Sequence, residues 1–135
     1  MKKLILFIVA ICSIATMFYF SSRNAEISSK QSQMILDILL NFGLETNSYF
    51  IRKFAHFIIF VVIGFCVSMF IGCYIESISL NTIISFLLAS GYACIDEHIQ
   101  TFIPGRNGNI TDVCIDVSGV LVGIMLFMLL EKTIL

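Results

Sequence analysis

The sequence predicts an all-α, polytopic membrane protein, a four-transmembrane-helix bundle with a short amphipathic segment in its first loop. Three observations predict it. The chain is 59% hydrophobic and 13% charged, with a mean hydropathy of +1.00, whereas soluble domains are roughly 45–50% apolar. Four apolar runs are long enough, at 1.5 Å rise per residue, to cross a hydrocarbon core of roughly 30 Å. The remaining ionisable residues gather at the ends of those runs, above all in residues 52–56 and 96–116.

The first run, residues 4–20, is apolar or hydroxylic throughout and follows Lys2 and Lys3. A secretory signal shares the basic start, but its apolar stretch is usually about 7–15 residues and ends at small residues suited to cleavage. Ser21-Ser22-Arg23-Asn24 suits cleavage poorly, so a retained anchor is expected. The connection that follows, residues 21–53, is too short to fold as its own domain. A single domain over residues 1–135 is therefore expected, with any chemistry on the bundle itself. Within the connection, Ser28-Ser29-Lys30-Gln31 has a capping-box pattern, and Met34, Ile35, Ile38, Leu39 and Phe42 follow on one face before a stop at Gly43. This predicts an amphipathic helix on the membrane surface or over the bundle; a linker packed against the spans is the plain alternative.

The second run, residues 54–75, carries one ionisable group, His56; the third, 78–95, carries none; the fourth, 113–130, carries only Asp116. The short link around Glu76-Ser77 forces the second and third into an antiparallel hairpin. Pro104-Gly105-Arg106-Asn107-Gly108-Asn109 is a turn cluster, and the sequon Asn109-Ile110-Thr111 is read as a chance match in a tight loop. The cysteines (Cys12, Cys66, Cys73, Cys94, Cys114) form no Cys-x-x-Cys pair and read as small apolar filler; only Cys94 and Cys114 flank one loop and could meet. With a net charge of −1 and no basic tract, the footprint of a nucleic-acid binder is missing.

Four spans bring the start of the second, the end of the third and the start of the fourth to one membrane face. That face receives Arg52, Lys53 and His56, then Asp96, Glu97, His98 and Gln100, then Arg106, Asp112 and Asp116. Asp112, Asp116, Gly119 and Gly123 fall on one helical stripe, and the Gly-x-x-x-Gly pair admits a neighbouring backbone, so the acidic stripe should face inward. Arg52, His56, Phe60 and Gly64, and likewise Ser85, Ala89, Tyr92, Asp96 and Gln100, repeat the design. His98 points off that stripe, toward the periphery.

Ionisable groups inside a membrane usually pair or serve a function. One reading is acid–base or nucleophilic chemistry by His56 with Asp96 and Glu97, joined by Asp112 and Asp116; adjacent carboxylates resist ionising together, which separates acid from base. A second is a divalent metal held by His56, Asp96, Glu97, Asp112 and Asp116, since oxygen-rich sets with an imidazole suit hard or borderline cations. In a third, Arg52, Lys53, Gln100 and Arg106, with the Gly105 and Gly108 backbone, hold a phosphate or carboxylate of a lipid-linked ligand. The plain alternative is an ion-pair network fixing helix register, because Asp96, Glu97, Asp112 and Asp116 against Arg52, Lys53 and Arg106 leave only −1. For Arg106 that alternative is a salt bridge to Asp112.

Arg52-Lys53-Phe54-Ala55-His56-Phe57, Asp96-Glu97-His98-Ile99-Gln100, Phe102-Ile103-Pro104-Gly105-Arg106, Asp112 with Asp116, and Gly119 with Gly123 resemble the signature of the VanZ-like family. The serines of residues 18–32, after the first span, resemble it too. The likeness covers most of the chain. It implies a small bacterial membrane protein with the motif face outward and a link to low-level resistance to teicoplanin-type glycopeptides. The motif residues it carries over are Lys53, His56, Asp96, Glu97, Gln100, Pro104, Arg106, Asp112 and Asp116. Two positions depart: Ile99, not histidine, precedes Gln100, so His98 inherits no role, and Asp116 stands where asparagine is common.

Orientation draws on opposing signals. Lys2, Lys3 and Lys132 flank the terminal side, against Arg23, Lys30, Arg52, Lys53 and Arg106 on the motif side, so a plain count puts the motif face in the cytoplasm. Excluding the site-like bases Arg52, Lys53 and Arg106 reverses the count, and the basic start agrees with the resemblance. Cytoplasmic termini in the cell membrane are therefore expected. The expected partners are membrane lipids or a lipid-linked cell-wall precursor; a non-enzymatic module would instead meet a membrane-protein partner or a second copy of itself.

Overall fold

The computed structural model describes residues 2–41 and 46–134. Among the described residues five helices follow in order: α1 (Lys2–Ser21), α2 (Ala25–Asn41), α3 (Ser48–Gly72), α4 (Ile78–Gln100) and α5 (Ile110–Ile134). No strand occurs among the described residues. The helices α3, α4 and α5 are each long and apolar enough to cross a membrane; Phe7–Ser21 of α1 reaches that standard together with α2, across a bend of 107°. The count of three to four spans accords with the predicted bundle.

The bend follows from local capping. The Asn24 side chain accepts from the Ile27 N–H at 2.9 Å and its carbonyl from the Ser28 N–H at 3.1 Å, so α2 begins at Ala25 and not at the capping box predicted at Ser28. Ser28 and Ser32 instead lie buried within α2, with the Ser32 hydroxyl donating to the Ser28 carbonyl at 3.0 Å. Met34, Ile35 and Ile38 face outward and Leu39 is half-buried; Phe42 and Gly43 lie outside the described residues.

The polar residues that hydropathy assigns to loops are helical. Asn47 caps α3 by accepting from the Phe50 N–H at 2.8 Å, so the helix starts at Ser48, not at residue 54, and Arg52 and Lys53 ride on its second turn. At its other end α3 stops at Gly72, before the predicted residue 75, and Ser77 caps α4. That helix continues past residue 95 to Gln100, keeping Asp96 and Gln100 on one face. Asn109 starts α5: its side chain accepts from the N–H and hydroxyl of Thr111 at 3.1 and 2.8 Å, which gives the sequon-like triplet a role as a helix cap.

The central helix is α3, which packs against the other four. Its closest partner is α5, where Gly119 faces the Phe57 carbonyl, Gly123 the Val61 carbonyl, and Gly64 of α3 the Val120 carbonyl. A Cβ on Gly64 or Gly119 would stand 2.5 Å from those oxygens. In a bilayer, where apolar side chains gain little by leaving lipid, such backbone contact is a main source of helix association. Gly123→Val should therefore force the pair apart and destabilise the fold by about 1–3 kcal/mol. Thermal unfolding in detergent measures this; an unchanged midpoint contradicts the close crossing.

Met17, Phe60, Ile63, Ala89, Ala93, Val120 and Ile124 form the core, and the Tyr92 hydroxyl fastens α4 to α1 by donating to the Ile14 carbonyl at 3.0 Å. Leu87, Leu88, Met125 and Leu129 point outward, as suits a lipid-facing surface. All five cysteines are free. Only Cys66 is buried filler; Cys12, Cys94 and Cys114 are exposed, and the last two form no bridge.

Candidate functional site

The inward stripes of α3, α4 and α5 bring three of the predicted residues together. One ligand atom from each of His56, Asp96 and Asp116 lies within 4.8 Å of the others. Asp96 and Asp116 are fully buried, at 1% and 0% exposure. Asp96 is half satisfied: its Oδ2 accepts from the Ser21 hydroxyl at 2.6 Å and from Gln100 Nε2 at 3.0 Å, while its Oδ1 has no partner. Neither oxygen of Asp116 has a hydrogen-bond partner. His56 Nδ1 stands 3.7 Å from Asp116 Oδ1, within ion-pair reach of a protonated imidazole but too far for a hydrogen bond. Asp116 lines a cavity of about 20 Å³ with Arg52, Lys53, His56, Gln100 and Asp112.

At the rim, Lys53 pairs with Asp112. Arg106 does not meet Asp112 as the salt-bridge reading predicts. Its guanidinium donates to the Ser21 carbonyl at 2.9 Å and the Ser28 hydroxyl at 2.8 Å, tying the loop after α4 to the α1–α2 bend. The left-handed backbone at Gly105, φ 77°, makes the turn that aims it. Burial and then Arg52 lower the pKa of Arg106 from its ordinary value, while Asp96 and Glu97 pull the other way; the guanidinium stays charged. Among the described residues, no carboxylate lies within salt-bridge distance of Arg52 or Arg106.

Glu97 is not brought into the cluster. One residue on from Asp96 it is turned about 100° around the helix, and its Oε1 accepts the Asn109 N–H at 2.8 Å. It therefore holds the loop against α4. His98 is exposed and meets Phe102 edge to face at 5.2 Å, as its helical angle predicts.

A family model described as VanZ/LLP1 matches residues 6–131, nearly the whole chain. The chain belongs to the VanZ/LLP1 family. A search of curated proteins and a search of solved structures return no match.

The VanZ-like motif thus divides by position. His56, Asp96 and Asp116 form the buried cluster, Gln100 holds Asp96, Lys53 and Asp112 pair at the rim, Arg106 braces the bend, and Glu97 secures the loop. Pro104 adds its carbonyl, which accepts from the Ala25 N–H at 3.5 Å. Two members escaped the sequence reading as individual residues, Ser21 and Ser28. The signal that could have found them is parity: the end of the first span falls on the motif face, so its serines share the polar cluster.

Two larger cavities meet at the bases. One, of about 240 Å³, is polar and is lined by Tyr49, Arg52, Gln100, Arg106 and Asn109 among others. The other, of about 290 Å³, is mainly apolar, with Met17, Phe20, Ile35, Ile51 and Ile59 in its wall. Arg52 and Arg106 belong to both.

Proposed function

We propose that this VanZ-like protein binds an anionic lipid or lipid-linked cell-wall group, with His56 and the buried aspartates placed to act on it. One observation carries the reading: two guanidiniums with no carboxylate partner among the described residues stand where a polar cavity joins an apolar one. An amphipathic anion matches that junction, with its head between Arg52 and Arg106 and its chain against Met17, Phe20 and Ile59. An anion there also relieves the repulsion between the two cations, and guanidinium suits phosphate oxygens in pairs. The apolar cavity reaches α2, whose outward Met34, Ile35 and Ile38 suit the membrane interface.

In this reading the termini are cytoplasmic and the site faces outward in the cell membrane. Occupying or altering an envelope lipid there lowers access of a teicoplanin-type glycopeptide to its target. Cells carrying Arg52→Gln or His56→Gln should lose teicoplanin tolerance while membrane abundance of the protein stays normal. Joint loss of tolerance and abundance instead supports an ion-pair network or interaction module. Labelling of a cysteine at Thr101 from the cytoplasm alone would overturn the orientation.

A further inference from the structure

The geometry points to a divalent-cation site formed by His56 Nδ1, Asp96 Oδ1 and the Asp116 carboxylate. The acceptors come from three different helices, one ligand atom from each lies within 4.8 Å of the others, and the two acids are fully buried with three oxygens that accept no hydrogen bond. Buried carboxylates without donors are strongly unfavourable, and helix packing that leaves three such oxygens together needs something positive or wet between them. The adjoining cavity of about 20 Å³ has room for an ion or for a water. Ligand bonds of about 2.0–2.2 Å require only a modest inward rotation of these side chains.

The donor set selects the ion. Two carboxylates and one imidazole, with no thiolate in the cluster, suit Mn2+ or Zn2+ better than a soft ion. Gln100 and Ser21 hold Asp96 by its other oxygen, the outer support that orients a metal-binding carboxylate and leaves Oδ1 free.

Charge supplies an independent reason, and here the inference rests on the anionic-ligand reading of the same pocket. Four acids (Asp96, Glu97, Asp112, Asp116) and three bases (Arg52, Lys53, Arg106) give −1 with His56 neutral, which disfavours an anion. A divalent ion turns that to +1, the complement of a phosphodiester. The ion thereby makes the pocket ready for its ligand.

The full chain, chelator-treated in neutral detergent without anionic lipid, is titrated with Mn2+ and with Zn2+ while free metal is followed. We expect saturable binding of one ion per chain, weakened about tenfold or more by Asp116→Asn and by His56→Gln, and unchanged by Asp37→Asn on the exposed face of α2. No saturable binding by the unsubstituted chain overturns the site, as it would if water alone fills the cavity. So does binding that Asp116→Asn or His56→Gln retains in full. Lipid is tested separately: ion binding without capture of phosphatidylglycerol vesicles overturns the lipid reading and leaves the ion site. Capture that is equal with and without chelator overturns the ion's part in it.

Discussion

Asp116→Leu is expected to make the chelator-treated protein more stable, by about 1–3 kcal/mol, and, under the proposed function, to abolish teicoplanin tolerance. Leucine reproduces the branched shape of aspartate with apolar atoms, at a position that is 0% exposed and where neither carboxylate oxygen has a hydrogen-bond partner. The substitution therefore removes a buried carboxylate that accepts no hydrogen bond, without leaving a hole. A residue that weakens its own fold in this way fits a functional role inside a membrane. The register-fixing alternative predicts the opposite sign, since breaking a buried ion pair is destabilising by about 3–5 kcal/mol. Thermal unfolding with and without chelator, beside tolerance and membrane abundance, separates the two.

The helices themselves were legible because a bilayer sets their length, and uncharged apolar runs of that length mark a membrane span. Their ends were not, because hydropathy treats polar residues as loop. Arg52, Lys53 and Gln100 are instead helical, on turns that Asn47 and the continuation of α4 provide. The inward stripes were legible from helical spacing, which joined Asp116 to Gly119 and Gly123 correctly. Adjacency in the sequence, not helical spacing, grouped Glu97 with Asp96, although adjacent positions on a helix diverge by about 100°. Charge matching paired Arg106 with Asp112, whereas its actual acceptors, a backbone carbonyl and a serine hydroxyl, leave no trace in a count of charges.

The second large effect is expected at Arg52. Its guanidinium lies above Tyr49, 5.8 Å from the ring centre, and borders all three cavities of the site. Among the described residues no acid within salt-bridge distance would be orphaned by its loss, so the change should act on the ligand and not on the fold. Charge-assisted hydrogen bonds contribute about 1.5–3 kcal/mol, so Arg52→Glu should weaken capture of anionic lipid about tenfold or more, charge reversal adding repulsion. Capture of a zwitterionic lipid should not change, and the unfolding midpoint should stay within the error of the unsubstituted protein. Equal loss for both lipids would mean that the cavity, not the guanidinium, recognises the ligand.

The most direct measurement is the mass of the lipid that stays with the protein purified from its own membrane. The account predicts an anionic lipid or lipid-linked phosphate, enriched over its share of the bulk membrane, retained by the unsubstituted chain and lost from Arg52→Glu. Bound lipid that mirrors the bulk composition, and that is the same in both proteins, would contradict it.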